Sequence, residues 1–463
     1  MSICFFLLLM IPVITFNREE NVISGIDNRE LTNNPFGSNY NADEGVDLTE
    51  GIENYLEDRI GFRDEMIYGY TMLHDKAFHQ LVHPTYTYGK DGYVFFQAGE
   101  NISYDVFHRV FADMVKEIQD YCESRDVPFL FVFNPAKTTL LSDQLADGIN
   151  YRNDWVQGFK DDMDKLGVHY IDNSELLKEK LDQGEMVFNK QYDAGHWNDL
   201  GAFYGVNQIL ETMKIDVPGV HVNEKNEFEI TDILKTSLPV SKFPIEETVP
   251  YFMEQCDVAD LTELYDTEVK RDENYPYFLY TVNAERREQG SPKTLVFQGS
   301  YMNTCGYKFL ENSLGEYIAV HDYQNITDFD YYFNIFKPEY VVFEAAEYVF
   351  FNQYFSYDRM VNMELNPALS TFESLPVGRH SLSDIALETE VGDSLTVIKA
   401  SGLPADTRYA YLLTGGEVFD LKKMEDGERQ WYEATIEKEK YLPNEIAVEI
   451  VDKQGRFMTK YEK

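Results

Sequence analysis

Between Tyr104 and Leu181, helix-period and strand-period segments alternate without a long interruption, and no other feature constrains the fold of this chain as tightly. Tyr104 to Arg125 places apolar side chains at Val106, Val110, Met114, Ile118 and Tyr121, one face of a helix. Pro128 to Phe133 has the length and the apolar, β-rich character of a buried strand. Trp155 to Leu166 reads as a helix, Val168 to Ile171 as a strand and Ser174 to Leu181 as a helix. Strands joined through helices return in the same direction, so this alternation builds a parallel sheet covered by its own crossovers. Strand, helix and strand signals resume from Thr294 to Phe343. The expected fold class is α/β, a largely parallel sheet flanked by helices. Ahead of it, residues 48–70 read as one amphipathic helix and Gly89-Lys90-Asp91-Gly92 as a hairpin turn.

Two segments carry chemistry. In Tyr192-Asp193-Ala194-Gly195-His196-Trp197-Asn198-Asp199 a carboxylate stands three residues before an imidazole. A short turn then lets Asp193 hold one ring nitrogen of His196 and leaves the other to take a proton from a hydroxyl. Asn198 or Asp199 caps the helix expected over Leu200–Met213, so the pair sits on a loop entering a helix. The second segment ends an apolar run in Gln298-Gly299-Ser300-Tyr301. A buried strand would deliver Ser300 to the C-terminal edge of the sheet, with the Tyr301 amide directed at a developing oxyanion. Asn134, after the Phe131–Phe133 strand, would lie at the same edge as a second oxyanion donor, and Lys137 would hold a carboxylate or sugar hydroxyl. Tyr192 and Trp197 flank the Asp-His pair and offer rings for stacking on a sugar. Either segment alone is a common structural pattern. Together they supply the parts of a hydroxyl-based acyl-transfer site.

The ordered set of motifs resembles the alginate O-acetyltransferase family of the AlgX/AlgJ type, whose SGNH hydrolase-like domain is also called DHHW. The match runs from Asn28-Arg29-Glu30-Leu31 through Tyr55–Asp64, Tyr88–Phe95 and Phe131–Lys137 to the Asp193/His196/Trp197 unit, Ser300 and Lys337–Glu344. It covers roughly residues 28–365. The resemblance implies Ser300 as acyl acceptor, His196 as general base and Asp193 as its orienter, in the order of the permuted family. It also implies a polysaccharide substrate, a membrane-bound O-acyltransferase as acyl donor, and no cofactor. Two departures stand out. The family usually has Gly-Asp-Ser where this chain has Gln298-Gly299-Ser300, and it commonly places His two residues after Asp, whereas the interval here is three.

A net charge of −41 over 463 residues excludes nucleic acid as a partner, because its phosphates would be repelled. The cysteines, Cys4, Cys122, Cys256 and Cys305, form no Cys-x-x-Cys pair and the histidines do not cluster, so no metal site is expected. The last three are expected to be reduced. The leading apolar run Ile3–Phe16 is shorter than the roughly 20 residues of a spanning helix and lacks a basic start or a small-residue cleavage site. Residues 1–17 are read as a signal anchor that holds the remainder outside the cytoplasmic membrane, and 18–47 as a polar spacer. Residues 48–375 form the expected SGNH-like acyltransferase domain, with an acidic, aperiodic insertion at 220–285. From 376 to 463, short alternating runs between Gly, Pro and Asp turns read as a small antiparallel β-sandwich.

Three functions fit these residues. The first is an O-acetyltransferase acting on a cell-surface or secreted polysaccharide through a Ser-His-Asp triad and an acyl-serine intermediate. The second is a carbohydrate O-acetyl esterase that uses water as the acceptor. The third is a non-catalytic glycan-binding surface protein with a degenerate site. The first two share one triad and the sequence does not separate them, since the choice depends on how well the cleft excludes water and holds a sugar hydroxyl; the resemblance favours the first.

Overall fold

The computed structural model describes residues 10–26, 29–41, 46–83, 85–97, 101–239, 243–427 and 429–462. Half of the leading apolar run, residues 3–9, lies outside them, and among the described residues no helix is long and apolar enough to cross a membrane. The single helix expected over 48–70 is two, α1 (Leu48–Arg59) and α2 (Arg63–Phe78). Between them Phe62 takes a left-handed backbone at φ 61°. Gly61 passes so close to Thr15 that a Cβ would sit 1.9 Å from its hydroxyl, so glycine is required there. The described part of the stretch read as a spacer is fastened to α1 by Arg59, which is fully buried. Its guanidinium donates to the carbonyls of Glu19 (2.5 Å), Leu31 (3.0 Å) and Thr32 (2.8 Å). β1 (Tyr86–Tyr88) and β2 (Val94–Phe96) then pair as the hairpin around the Gly89–Gly92 turn.

α3 (Val106–Glu123) buries Met114, Ile118 and Tyr121 of the expected stripe and, beside them, Phe107, Phe111, Val115 and Cys122, while Val106 is exposed. The larger rings widen the buried face. Phe111 meets Phe131, Phe159, Phe343, Phe350 and Phe355 with centroids 4.7–6.1 Å apart. In chain order there follow β3 (Phe129–Asn134), α4 (Trp155–Leu166), β4 (Tyr170–Asp172), α5 (Ser174–Asp182) and α6 (Asp199–Asp216). Next come β5 (Glu229–Ser237), β6 (Pro244–Met253), β7 (Ala259–Asp260), β8 (Phe278–Val282) and β9 (Lys293–Gln298). α7 (Tyr307–Glu311), β10 (Glu316–His321), α8 (Phe329–Phe336) and β11 (Tyr340–Ala346) close the layer. The main sheet has the order β4–β3–β11–β9–β10–β8–β7. The first five strands are mutually parallel, and β8 and β7 add antiparallel at one edge. Part of the stretch 220–285 therefore belongs to this sheet, while β5 and β6 stand apart as an antiparallel pair.

The C-terminal strands are β12 (Val377–Ser381), β13 (Ala386–Val391), β14 (Leu395–Ser401), β15 (Thr407–Thr414), β16 (Glu417–Asp426), β17 (Arg429–Glu437), β18 (Ala447–Asp452) and β19 (Met458–Glu462). β16 pairs with β15 over Glu417–Leu421 and with β17 over Lys422–Asp426. One strand thus serves two faces and folds them over a core that includes Ile398, Leu412, Phe419, Ile436 and Val448. The module is antiparallel as expected, except that β12 runs parallel to β19.

Candidate active site

Ser300 emerges where the buried central strand β9 ends. β9 is flanked in parallel by β10 and β11, which fixes its C-terminal end. Gln298 secures the turn, its side chain accepting from the Tyr317 hydroxyl (2.6 Å) and donating to Asn303 (2.7 Å). Ser300 and Tyr301 open a helical stretch that passes through a π-helical turn, Met302–Gly306, into α7. The first amides of such a stretch have no intrahelical acceptor and carry the positive end of its dipole. The Tyr301 amide is one of them.

The Gly299 amide donates to Glu344 Oε2 at 2.9 Å. A Cβ on Gly299 would come within 3.6–3.7 Å of both Asp322 carboxylate oxygens and of Glu344 Oε2. This gives the departure from Gly-Asp-Ser a local cause, since an aspartate here would press a third carboxyl against two buried ones.

His196 Nδ1 lies 2.8 and 2.9 Å from the two Asp193 carboxylate oxygens, and Nε2 lies 2.8 Å from Ser300 Oγ. A carboxylate only accepts, which assigns the ring proton to Nδ1 and leaves Nε2 to accept from the serine hydroxyl. Asp193 has φ 60°, a left-handed conformation that aspartate tolerates, and its Oδ1 also accepts the amides of Gly195 (3.2 Å) and His196 (3.1 Å). The loop is held from three sides. Glu247 on β6 accepts the amides of Lys190 (2.6 Å), Gln191 (2.8 Å) and Tyr192 (2.5 Å). The Lys137 ammonium donates to the carbonyls of Val94 (2.8 Å), Lys190 and Asp193 (3.4 Å each). Trp197 Nε1 donates to the Tyr301 carbonyl at 2.9 Å, joining the loop to the nucleophile turn.

Three of the residues read from sequence as ligand contacts are instead supports. Lys137 is 1 % exposed and braces the Asp193 loop; burial pulls its pKa down to about 8, against the charges of Asp193 and Glu247. Trp197 is buried and braces rather than stacks. Asn134 is fully buried beneath the turn, where its amide donates to Glu344 Oε1 (2.8 Å) and accepts from Asn173 (2.6 Å). Tyr192 stays half-buried with its ring 4.4 Å from Lys235 Nζ.

Tyr348 escaped the sequence reading. Its hydroxyl lies 2.8 Å from Ser300 Oγ, and its ring stands edge-on to His196 at 6.2 Å. Nothing in its local pattern marks it; only the pairing of β11 with β9 carries the segment after β11 to Ser300. Glu247 and Glu344 escaped for the same reason, being distant in sequence from both motifs.

Burial opposes charging of His196, but the charge and hydrogen bond of Asp193, with Glu344 behind, outweigh it and hold the imidazole pKa above its ordinary 6.5. Burial likewise raises Asp193, yet the His196 charge, its hydrogen bond and the loop amides win, and the carboxyl falls below its usual value. Glu344 is pushed up to about 8, first by burial and then by the charge of Asp322. Tyr348 is driven well above 10 by burial, so it remains a neutral donor.

Residues 87–239 match the family described as SGNH hydrolase-like domain, acetyltransferase AlgX. That span contains Asp193 and His196 and ends before Ser300. Among curated proteins none matches this chain. Solved structures similar to it include a DHHW family protein from Eubacterium siraeum, at 15% identity over 62% of this chain and 98% of that one, TM-score 0.44. The O-acetyltransferase domain of Pseudomonas putida AlgJ is similar at 15% identity over 63% and 96%, TM-score 0.41. Pseudomonas aeruginosa AlgX is similar at 14% identity over 75% and 85%, TM-score 0.40. The resemblance drawn from the ordered motifs is borne out over residues 87–239.

Proposed function

We propose, from the AlgX-type SGNH hydrolase-like acetyltransferase domain that residues 87–239 match, that this chain is an O-acetyltransferase that esterifies hydroxyls of a polysaccharide through Ser300. The observation that carries the reading is the continuous relay Asp193–His196–Ser300, with both hydrogen-bonded links at 2.8 Å. Ser300 Oγ attacks the donor's carbonyl carbon as its proton passes to His196 Nε2. Negative charge then collects on the carbonyl oxygen, where the Tyr301 amide and the Tyr348 hydroxyl are the available donors. Collapse expels the donor's alcohol, which takes the proton from His196, and leaves acyl-Ser300. A sugar hydroxyl then gives its proton to His196 and attacks the acyl carbon, and the proton returns to Ser300 Oγ as the ester departs. A membrane-bound O-acyltransferase as donor, and a place outside the cytoplasmic membrane, belong to the same proposal.

The test is incubation with p-nitrophenyl acetate followed by intact mass. The wild type should gain one acetyl group, and Ser300→Ala none. His196→Ala and Asp193→Asn should slow labelling by about 10³–10⁶, with the double variant scarcely worse, because the three act as a unit. Equal labelling of wild type and Ser300→Ala overturns the reading. A glycan acceptor should speed loss of the acetyl group from Ser300, whereas release at the same rate without glycan supports the esterase.

A further inference from the structure

Behind the Gly195–His196 turn lies a cavity of about 210 Å³. It shares two walls with the relay: Tyr348, whose hydroxyl touches Ser300, and Gly195, the peptide neighbour of His196. We infer that this cavity receives the acyl part of the donor and admits chains longer than acetyl. The inference rests on the transfer reading above and names the substrate class of the same site.

Size is the first argument. The methyl of an acetyl group is about as large as one water molecule, roughly 30 Å³ in the liquid, so most of this space would stay empty behind it. Pockets that enclose whole ring-bearing ligands are larger, about 300–1,000 Å³. A single hydrocarbon chain falls between the two.

Chemistry is the second. Phe96, Ile102, Leu145, Ile149 and Trp155 supply carbon walls. Three of the polar groups that line the cavity, Glu347, Lys137 and Asn101, are already engaged by the protein. Glu347 accepts the Ala136 amide (2.9 Å), the Thr139 hydroxyl (2.6 Å) and the Tyr151 hydroxyl (3.0 Å). Lys137 is spent on backbone carbonyls. Asn101 donates to the Asn150 carbonyl (2.8 Å) and accepts the Arg152 amide (2.9 Å). A sugar placed here would lose water from its hydroxyls without replacement, which is costly. An alkyl chain gains by leaving water. The bonds made and broken are those of the acetyl case; only the group carried on Ser300 Oγ is longer.

The test compares p-nitrophenyl acetate, butyrate and hexanoate as acylating probes, read by nitrophenol release and intact mass. Hexanoate should acylate wild-type Ser300 at least as fast as acetate, gaining up to about fourfold per methylene that the cavity buries. Ile149→Trp and Ile102→Phe fill the space from different segments of the chain, so a folding failure in one leaves the other. Each should slow hexanoate by about tenfold or more relative to acetate. Acylation by acetate with hexanoate about tenfold slower in wild type overturns the cavity assignment and leaves the transfer reading standing. Equal slowing of both esters by both fillings also overturns it. If no ester labels Ser300, the transfer reading falls and this inference with it.

Discussion

Ser300 Oγ has two hydrogen-bond partners at 2.8 Å, His196 Nε2 on one side and the Tyr348 hydroxyl on the other. If Tyr348 donates to the charged oxygen of the transition state, Tyr348→Phe should lower the acylation rate by about 10²–10³ while the acyl mass still forms. A rate within about twofold of wild type would remove Tyr348 from the chemistry. The pH profile tests Glu344. His196 must be neutral to accept a proton and its pKa is held above 6.5, so acylation should rise with pH through that raised value. Glu344 titrates at about 8 behind the Gly299 amide, and its charge would oppose the oxyanion, so the rate should fall again above about pH 8. Lys137, also near 8, braces the Asp193 loop, so Glu344→Gln should reduce that alkaline fall and keep the acid limb. The same raised pKa makes the folded state hold this proton more tightly than the unfolded chain, whose value is near 4.5. Its stabilising share is therefore complete below pH 4.5 and is lost as pH rises towards 8, and Glu344→Gln should flatten Tm over that window. The Asp193–His196 spacing and the Ser300 turn were legible because each is local. Tyr348 and Glu344 were not, because only the strand order brings them to the serine.

At the scale of elements, the helix–strand alternation from Tyr104 to Leu181 was legible because apolar periodicity there coincides with what is buried. It failed where burial comes from outside the segment. Residues 48–70 keep a helical pattern across Gly61, and only the close approach of Thr15 breaks it. β8 joins the main sheet within an acidic stretch whose composition hides it. The β5–β6 pair grips the Asp193 loop through Glu247, three backbone amides on one carboxylate. Glu247→Ala should slow acylation by about 10–10², because a shift of about 1 Å in Asp193 and His196 is enough for such a loss. Circular dichroism should remain native. Unchanged labelling would show that Lys137 and Trp197 hold the loop without it. Lys308 and Asp199 pair at 2.9 Å in the interior and join α7, α6 and, through the Phe252 amide, β6. Lys308→Met would strand the Asp199 charge, so a loss of about 3–5 kcal/mol is expected in denaturant unfolding.

At the scale of the whole molecule, Asp420 couples the C-terminal β-module to the α/β layer. It lies on β16, 4 % exposed, yet all its side-chain partners are on α3 or just beyond it. Its carboxylate accepts from the Tyr121 hydroxyl (2.5 Å) and from the Arg125 guanidinium (3.0 and 3.1 Å). Its backbone exchanges hydrogen bonds with the Asn334 side chain on α8 at 2.8 and 3.0 Å. Sequence could not supply this contact, because neither surface carries a pattern that names the other. Removing the carboxylate leaves the Arg125 charge without its partner, a loss of about 3–5 kcal/mol localised at the junction. The module has its own closed core, so it should survive the loss as a folded unit. Calorimetry of the wild type should therefore show a single cooperative transition, and Asp420→Ala should split it into two, the lower one shifted down. Among the described residues the relay around Ser300 makes none of its hydrogen bonds to the module, so below the first transition Asp420→Ala should acylate at the wild-type rate. A single unshifted transition in the variant would mean that other contacts, such as the Tyr411 hydroxyl on the Pro367 carbonyl at 2.7 Å, carry the coupling instead.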